Sequence, residues 1–130
     1  MPLPDTGSKE LVIKVVAMPR DTNAAGDMFG GWIVSQMDLA ASLRARRMTA
    51  SRIVTVAIDN LVFHKPVNVG DCVICYATIE KVGRTSITVQ VDVLVERRDT
   101  HAEEQVTEGR FVFVAIDENY KPIPINTKPI

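Results

Sequence analysis

Only one stretch of this chain, Trp32 to about Arg47, runs without Pro or Gly and repeats its apolar residues at helical spacing, with Ile33, Met37, Ala40 and Ala41 recurring on one side. Everything else reads as strands and turns, so the fold must set a sheet against a single long helix. That helix carries Ser35, Ala40, Ala41, Ser42 and Ala45, small side chains that let a sheet approach closely. It is expected at the centre of the molecule.

Around it the strands are marked by β-branched runs and their punctuation. Leu11 to Val16 is β-rich, and after Pro19 the polar passage Asp21 to Asp27 reads as a loop closed by Gly30-Gly31. Ile53 to Phe63 stops at Lys65-Pro66. Val67 to Asp71 turns the chain into a strand from Cys72 to Val82, and Gly83-Arg84 offers a tight hairpin. Ile87, Val89, Val91, Val93 and Val95 alternate with Thr88, Gln90 and Asp92, the period of a strand with one apolar face. The charged passage Arg97 to Glu108 is expected to be a hairpin connection in its first half, with the last strand at Arg110 to Ile116. Residues 1–10 are expected as a flexible N-terminus, and 118–130, with Pro122, Pro124 and Pro129, as an extended tail.

Short connections favour antiparallel pairing, because a parallel neighbour needs a crossover of about a dozen residues. The expectation is a single α+β domain whose antiparallel sheet of five to six strands wraps the one long helix. One helix cannot cover both faces of such a sheet, so a dimer or higher oligomer is expected to protect what is left. A length of 130 residues fits one domain, and 46% hydrophobic against 24% charged residues fits a chain that buries a core. With 15 Lys+Arg against 16 Asp+Glu, the net charge of −1 leaves no electrostatic footprint for bulk nucleic-acid binding. No run is long enough to insert into a membrane, and Met1 to Glu10 has no apolar core of a signal peptide. Two cysteines make no disulfide framework, which points to the reducing cytoplasm.

Chemistry is most legible in Asn23-Ala24-Ala25-Gly26-Asp27-Met28-Phe29-Gly30-Gly31-Trp32. A carboxylate and two glycines stand at the entry of the buried helix, where unpaired N–H groups and the positive dipole end point outward. The N–H groups of Gly30 or Gly31 can face the oxygen that becomes negative during acyl transfer, with Asp27 activating water or attacking directly. A plainer account also fits: Asp27 neutralises the helix start and the glycines ease a turn. The dipole favours the charged, weakly basic carboxylate, whereas an apolar setting of Met28, Phe29 and Trp32 pushes the other way.

The run Ala17-Met18-Pro19 to Met37-Asp38, with Thr22-Asn23, Gly26-Asp27 and Phe29-Gly30-Gly31-Trp32, resembles the YciA-like acyl-CoA thioesterases of the hotdog-fold superfamily. Ile53 to Ala57, Lys65-Pro66, Val69-Gly70-Asp71, Lys81 to Arg84 and Phe111 to Ala115 look like the same family in the same order. The resemblance implies a hotdog domain acting as a homodimer, commonly a trimer of dimers, that hydrolyses acyl-CoA. It requires no cofactor, coenzyme A being part of substrate and product. It also implies Asp27 as the catalytic aspartate, Gly30 and Gly31 as the backbone that polarises the carbonyl, and Asn23 as the residue that shapes the loop or orients water. Ala25 stands where relatives often carry Asn, and His64 where an apolar residue is common.

Coenzyme A needs partners for its phosphates and a slot for its pantetheine arm. Lys81, Gly83, Arg84, Thr85 and Ser86 combine two cations, two hydroxyls and a glycine, which suits a phosphate nest or, equally, a solvated turn. Val54 to Ile58, including Val56, can line the slot or simply form a core strand, with Lys65 at the mouth. Cys72 and Cys75 spell C-x-x-C, yet on a strand they point to opposite faces about 10 Å apart, so neither a redox pair nor a metal site is expected. Two rival functions remain: a hydroxyacyl-thioester dehydratase using His64, and a non-catalytic acyl-CoA binding dimer. Asp38 lies eleven helical steps beyond Asp27, near the same face, as a second acid or a structural one. Arg44, Arg46 and Arg47 sit where cations suit the helix C-terminus.

Overall fold

The computed structural model describes residues 7–125. The chain forms β1 (Lys9–Val16), a 3₁₀ turn (Pro19–Asp21), α1 (Gly30–Ala45), a second 3₁₀ turn (Arg46–Met48), β2 (Arg52–Phe63), β3 (Cys72–Val82), β4 (Ser86–Glu96) and β5 (Glu103–Ile116). All five strands join one sheet in the order β1-β3-β4-β5-β2, each pair antiparallel. Ile33, Met37, Ala40, Ala41 and Ala45 of α1 are buried with the inward residues of β3, β4 and β5 in one core. The alternation in β4 is complete: Ile87, Val89, Val91, Val93 and Val95 are all buried.

Three boundaries differ from the sequence expectation. The helix starts at Gly30, not Trp32, because Phe29 stays extended as the N-cap and its carbonyl accepts from the amides of both Trp32 (3.1 Å) and Ile33 (3.2 Å). The two glycines therefore build the first turn instead of closing the loop. β5 starts at Glu103, seven residues before Arg110, since its charged residues project on the outer face while Val106, Thr107 and Gly109 face inward. Lys9 and Glu10 belong to β1, pairing with Thr78 and Ala77 of β3. Residues 1–6 and 126–130, including Pro129, lie outside the described residues. The described part of the tail turns at Asp117 to Tyr120 and comes back along β5, with Ile123 N–H donating to the Ala115 carbonyl (2.9 Å).

Glycine has a packing reason at position 109. An added Cβ there would lie 3.0 Å from Leu61 Cδ1 and 3.3 Å from Met37 Cε, so α1 sits directly on this part of β5. The other outcome of one helix on five strands is an uncovered edge. β2 bends at register shifts after Thr55 and Asp59, with Asn60 in the left-handed region (φ 52), and it leaves Val56 (55% exposed), Ile58, Val62 and Phe63 in contact with solvent. Gly109→Val is expected to overpack the space beneath Met37 and cost about 1–3 kcal/mol, read as a lower urea midpoint at unchanged slope; an unchanged midpoint would show that α1 rides higher than described.

Candidate active site at the helix start

The loop between β1 and α1 is built on Asn23. Its side-chain Oδ1 accepts from the amides of Ala25 (3.0 Å) and Asp27 (3.1 Å), an Asx turn of the kind this residue favours. Its own amide donates to the Asp27 carbonyl, and Gly26 supplies the positive φ (88°) that the turn needs. Asn23 thus shapes the loop. Asp27 is held through its backbone, which bridges to Asn68, and among the described residues its half-buried carboxylate has no hydrogen-bonding or ionic partner. Beyond it the chain enters α1 with the Gly30 and Gly31 amides free of backbone acceptors among the described residues. Phe63 lies over Gly30, 3.4 Å from where a Cβ would be, whereas Gly31 faces open space. A carbonyl can approach at Gly31, where two amides and the helix dipole converge.

Asp38 occupies a different place from the one an unbroken helix would give it. Since α1 begins after Asp27, no helical rotation relates the two acids. Asp38 is two turns past Gly31 on the same face, about 10 Å along the axis. Thr55 Oγ1 of β2 donates to Asp38 Oδ1 at 2.8 Å and fixes that carboxylate's orientation. The sequence signal was present and went unused: Thr55 is the one polar residue in the apolar run Ile53 to Ile58, facing a helical acid.

The other expected site residues lie elsewhere. Lys81, Gly83, Arg84, Thr85 and Ser86 form the β3–β4 turn, closed by Gly83 N–H to the Ser86 carbonyl (2.8 Å). Neither Lys81 nor Arg84 pairs with an acid among the described residues, and both are exposed. The turn is at the Val82 end of β3, while the helix start packs near the Cys72 end; eleven residues at about 3.3 Å each separate them. One chain therefore does not bring the turn and the helix start together. Val56 is on the open edge. Lys65 Nζ donates to Glu104 (3.1 Å), and His64 meets Glu108 (3.2 Å) on β5. Both cysteines are free, and burial pushes the Cys75 thiol up to about 12, which keeps it protonated and unreactive. Among the described residues no group of three or more His, Cys, Asp or Glu is placed to hold a metal ion.

Sequence reasoning also missed two clusters. Arg44, taken as a cation at the helix end, is fully buried on α1, with Nε 4.0 Å from the Glu10 carboxylate that Arg47 also grips. Behind the loop that carries Asn23 and Asp27, Arg97 donates from Nη1 to Asp71 Oδ2 (2.8 Å) and from Nε to Glu104 (2.6 Å). Burial alone would raise the Asp71 carboxyl. The amides of Asn68 and Arg98 and the Arg97 guanidinium outweigh it, so Asp71 titrates below the ordinary range.

A helix start with open amides, a curved antiparallel sheet around that helix and flanking carboxylates define a hotdog-fold domain equipped for attack on an acyl group. The chain belongs to the thioesterase superfamily, whose model matches residues 25–102, as a YciA-like member. It is 43% identical to the acyl-CoA thioester hydrolase YciA of Salmonella typhimurium over 93% of each chain. Among solved structures it is similar to the hexameric thioesterase y2039 from Yersinia pestis, with a TM-score of 0.87 and 43% identity, covering 92% of this chain and 98% of that one. It is also similar to an acyl-CoA hydrolase from Staphylococcus aureus solved with butyryl coenzyme A and coenzyme A, with a TM-score of 0.82 and 26% identity over 93% and 73% of the two chains.

The depressed Asp71 titration has a signed consequence. Its contribution to stability is complete above the ordinary aspartate value of about 3.9 and is lost as pH falls through the lower folded-state value. Asp71→Asn is expected to be less stable than the wild type at pH 7, with the difference shrinking below about pH 4, followed by urea midpoints across pH. A difference independent of pH would remove Asp71 from the acid response.

Proposed function

We propose that this chain hydrolyses acyl-CoA thioesters to the free acid and coenzyme A, in the cytoplasm and without a cofactor. The supporting observation is the open helix start, with two glycine amides unclaimed beside a loop braced by Asn23. The thioester oxygen takes those amides. A carboxylate removes a proton from water, the hydroxide adds to the acyl carbon, and the negative oxygen is held at Gly30 and Gly31. The C–S bond then breaks, and the leaving thiolate takes back the proton from the carboxyl group.

The family resemblance implies Asp27, three residues ahead of α1, as general base or nucleophile. A second reading, Asp38 as the base, is favoured by the Thr55–Asp38 hydrogen bond, because a base must be held in one orientation to act and, of the two acids near the helix start, Asp38 alone has a side-chain partner among the described residues. Asp38 and Gly31 of one chain are about two helical turns apart, too far to act on one carbon. The second copy removes the difficulty. The open β2 edge, with Val56, Ile58, Val62 and Phe63 exposed, is suited to antiparallel pairing with its own copy. That two-fold runs the second copy's Thr55 and Asp38 toward the Phe63 end of the first, where Phe63 covers Gly30. It also carries the second copy's Lys81 to Ser86 turn to the end of the sheet where the first copy's helix starts, in reach of the coenzyme A phosphates. Such dimers, assembled as a trimer, agree with the hexameric relatives.

Thiol release from acetyl-, butyryl- and palmitoyl-CoA separates the readings. Asp38→Asn is expected to lose at least about a hundredfold in kcat, in the range of a lost general base, with Asp27→Asn losing less. The reverse order returns the role to Asp27. Binding of coenzyme A with no turnover on any chain length would replace the enzyme by a sensor, and enoyl product lost in His64→Ala would make it a dehydratase. The assembly is tested separately. Val56→Glu with Ile58→Lys is expected to yield monomers by light scattering and to abolish turnover; active monomers would place the whole site within one chain.

A further inference from the structure

Among the described residues the loop from 18 to 27 makes no backbone hydrogen bond of its own to a strand of the sheet. Both of its ends hang on the segment 66–71. At one end Ala17 N–H donates to the Asp71 carbonyl and Gly70 N–H to the Ala17 carbonyl, each at 2.9 Å. At the other end Met28 N–H donates to the Val67 carbonyl (2.9 Å), and Asp27 bridges to Asn68. Whatever fixes 66–71 therefore fixes Asn23, Asp27 and the amides of Gly30 and Gly31 that follow.

That segment is short, irregular and bent at Gly70, whose φ of 91° favours glycine and whose missing Cβ leaves room for the Arg98 side chain packed against it. Its shape comes from one buried carboxylate. Asp71 Oδ2 accepts from the Asn68 amide (2.9 Å) and Oδ1 from the Arg98 amide (3.0 Å). Arg97 completes the arrangement: Nη1 reaches both Asp71 Oδ2 (2.8 Å) and the Pro66 carbonyl (2.9 Å), while Nε is tethered to Glu104 on β5. A guanidinium suits this position because its planar fork serves three acceptors at fixed angles; a lysine ammonium cannot span them all. The far end of the tether is itself held, since Lys65 also binds Glu104. The sheet, the hairpin after β4 and the segment 66–71 are thereby locked to one another behind the active loop.

We infer that Arg97 is a positioning residue for thioester hydrolysis: through Asp71 and the Pro66 carbonyl it sets segment 66–71, and through that segment the loop and the helix start that receive the acyl carbonyl. The inference rests on the proposed thioesterase reading but not on which carboxylate is the base, since Asn23, Gly30 and Gly31 are positioned in either case. A displacement on the order of 1 Å at a reacting group is enough to cost catalysis heavily, whereas the Lys81 to Ser86 turn proposed for the coenzyme A phosphates shares no hydrogen bond with this clamp among the described residues of the chain.

The test uses the full chain in its native assembly, with steady-state hydrolysis of butyryl-CoA at 25 °C, thermal melts and amide hydrogen exchange. Arg97→Gln is expected to lower kcat about tenfold while KM changes less than about twofold, and to speed exchange at Ala17, Met28 and Gly70. Arg97→Lys is expected to recover part of the loss. If Arg97→Gln does not fold, Arg97→Lys carries the test with the same signs and smaller size. A folded Arg97→Gln with wild-type kcat and a lower melting temperature would overturn the inference and leave a stabilising ion pair. A wild type inactive on every acyl-CoA would instead overturn the thioesterase reading. Exchange at Ala17 and Met28 would then still report whether Arg97 holds the loop, and unchanged exchange would overturn the clamp as well.

Discussion

One helix against five strands is the constraint from which the rest of this structure follows. The concave face of the sheet can be closed by a single rod only if the rod comes very near it, which is why α1 offers alanines at positions 40, 41 and 45 and why β5 has Gly109 under Met37. Closing the middle leaves the margin uncovered. Among the described residues β2 pairs only with β5 and leaves Val56, Ile58, Val62 and Phe63 exposed, an arrangement that a solitary domain would avoid. The open edge that we propose a second copy covers is thus a by-product of how the core was closed.

The same constraint shapes the candidate site at one end of the rod. A central helix has its N-terminus enclosed by the loops that connect the strands around it, and here the two residues that start it lack side chains. The amides are open to a ligand while the surroundings remain ordered. Around them the polar contacts divide into two kinds. Asn23 organises the loop from within by accepting from its own neighbours, and the Asp71–Arg97 pair supports it from behind. Buried charges of the second kind are costly unless every acceptor and donor is met. Asp71 meets two amides and a guanidinium, and its acidity follows from that company.

How much of this was visible in the residues alone depended on whether the signal was periodic. β4 announced itself, because alternation of five aliphatic residues admits no other account. The central helix was equally clear from its spacing and small side chains. Where the pattern is broken by charge, as at the start of β5, the sequence places the strand's beginning seven residues late, at Arg110; Glu103, Glu104 and Glu108 do not read as strand until the neighbouring strands give their outer face a reason. The glycines were read as a loop closure because intrinsic propensity disfavours them in a helix, and only the extended Phe29 with Phe63 above Gly30 makes them its first turn. Asp38 and Thr55 are seventeen residues apart in the chain, and no local rule links a helical acid to a strand hydroxyl.

The amino-acid order by itself determined the inventory: one helix, its neighbours as strands, a polar glycine-bearing loop before it, and a family likeness carried by several motifs in register. These are local or periodic properties, fixed by side-chain spacing and backbone preference. Tertiary structure decided the encounters. It separated the Lys81 to Ser86 turn from the helix start by the length of a strand, placed Thr55 on Asp38, buried Arg44, and hung the loop of Asn23 and Asp27 on a segment held by Arg97. Such pairings depend on which strand lies beside which and how the sheet bends around its helix. That arrangement is a result of burying the whole apolar face at once, and no window of neighbouring residues contains it.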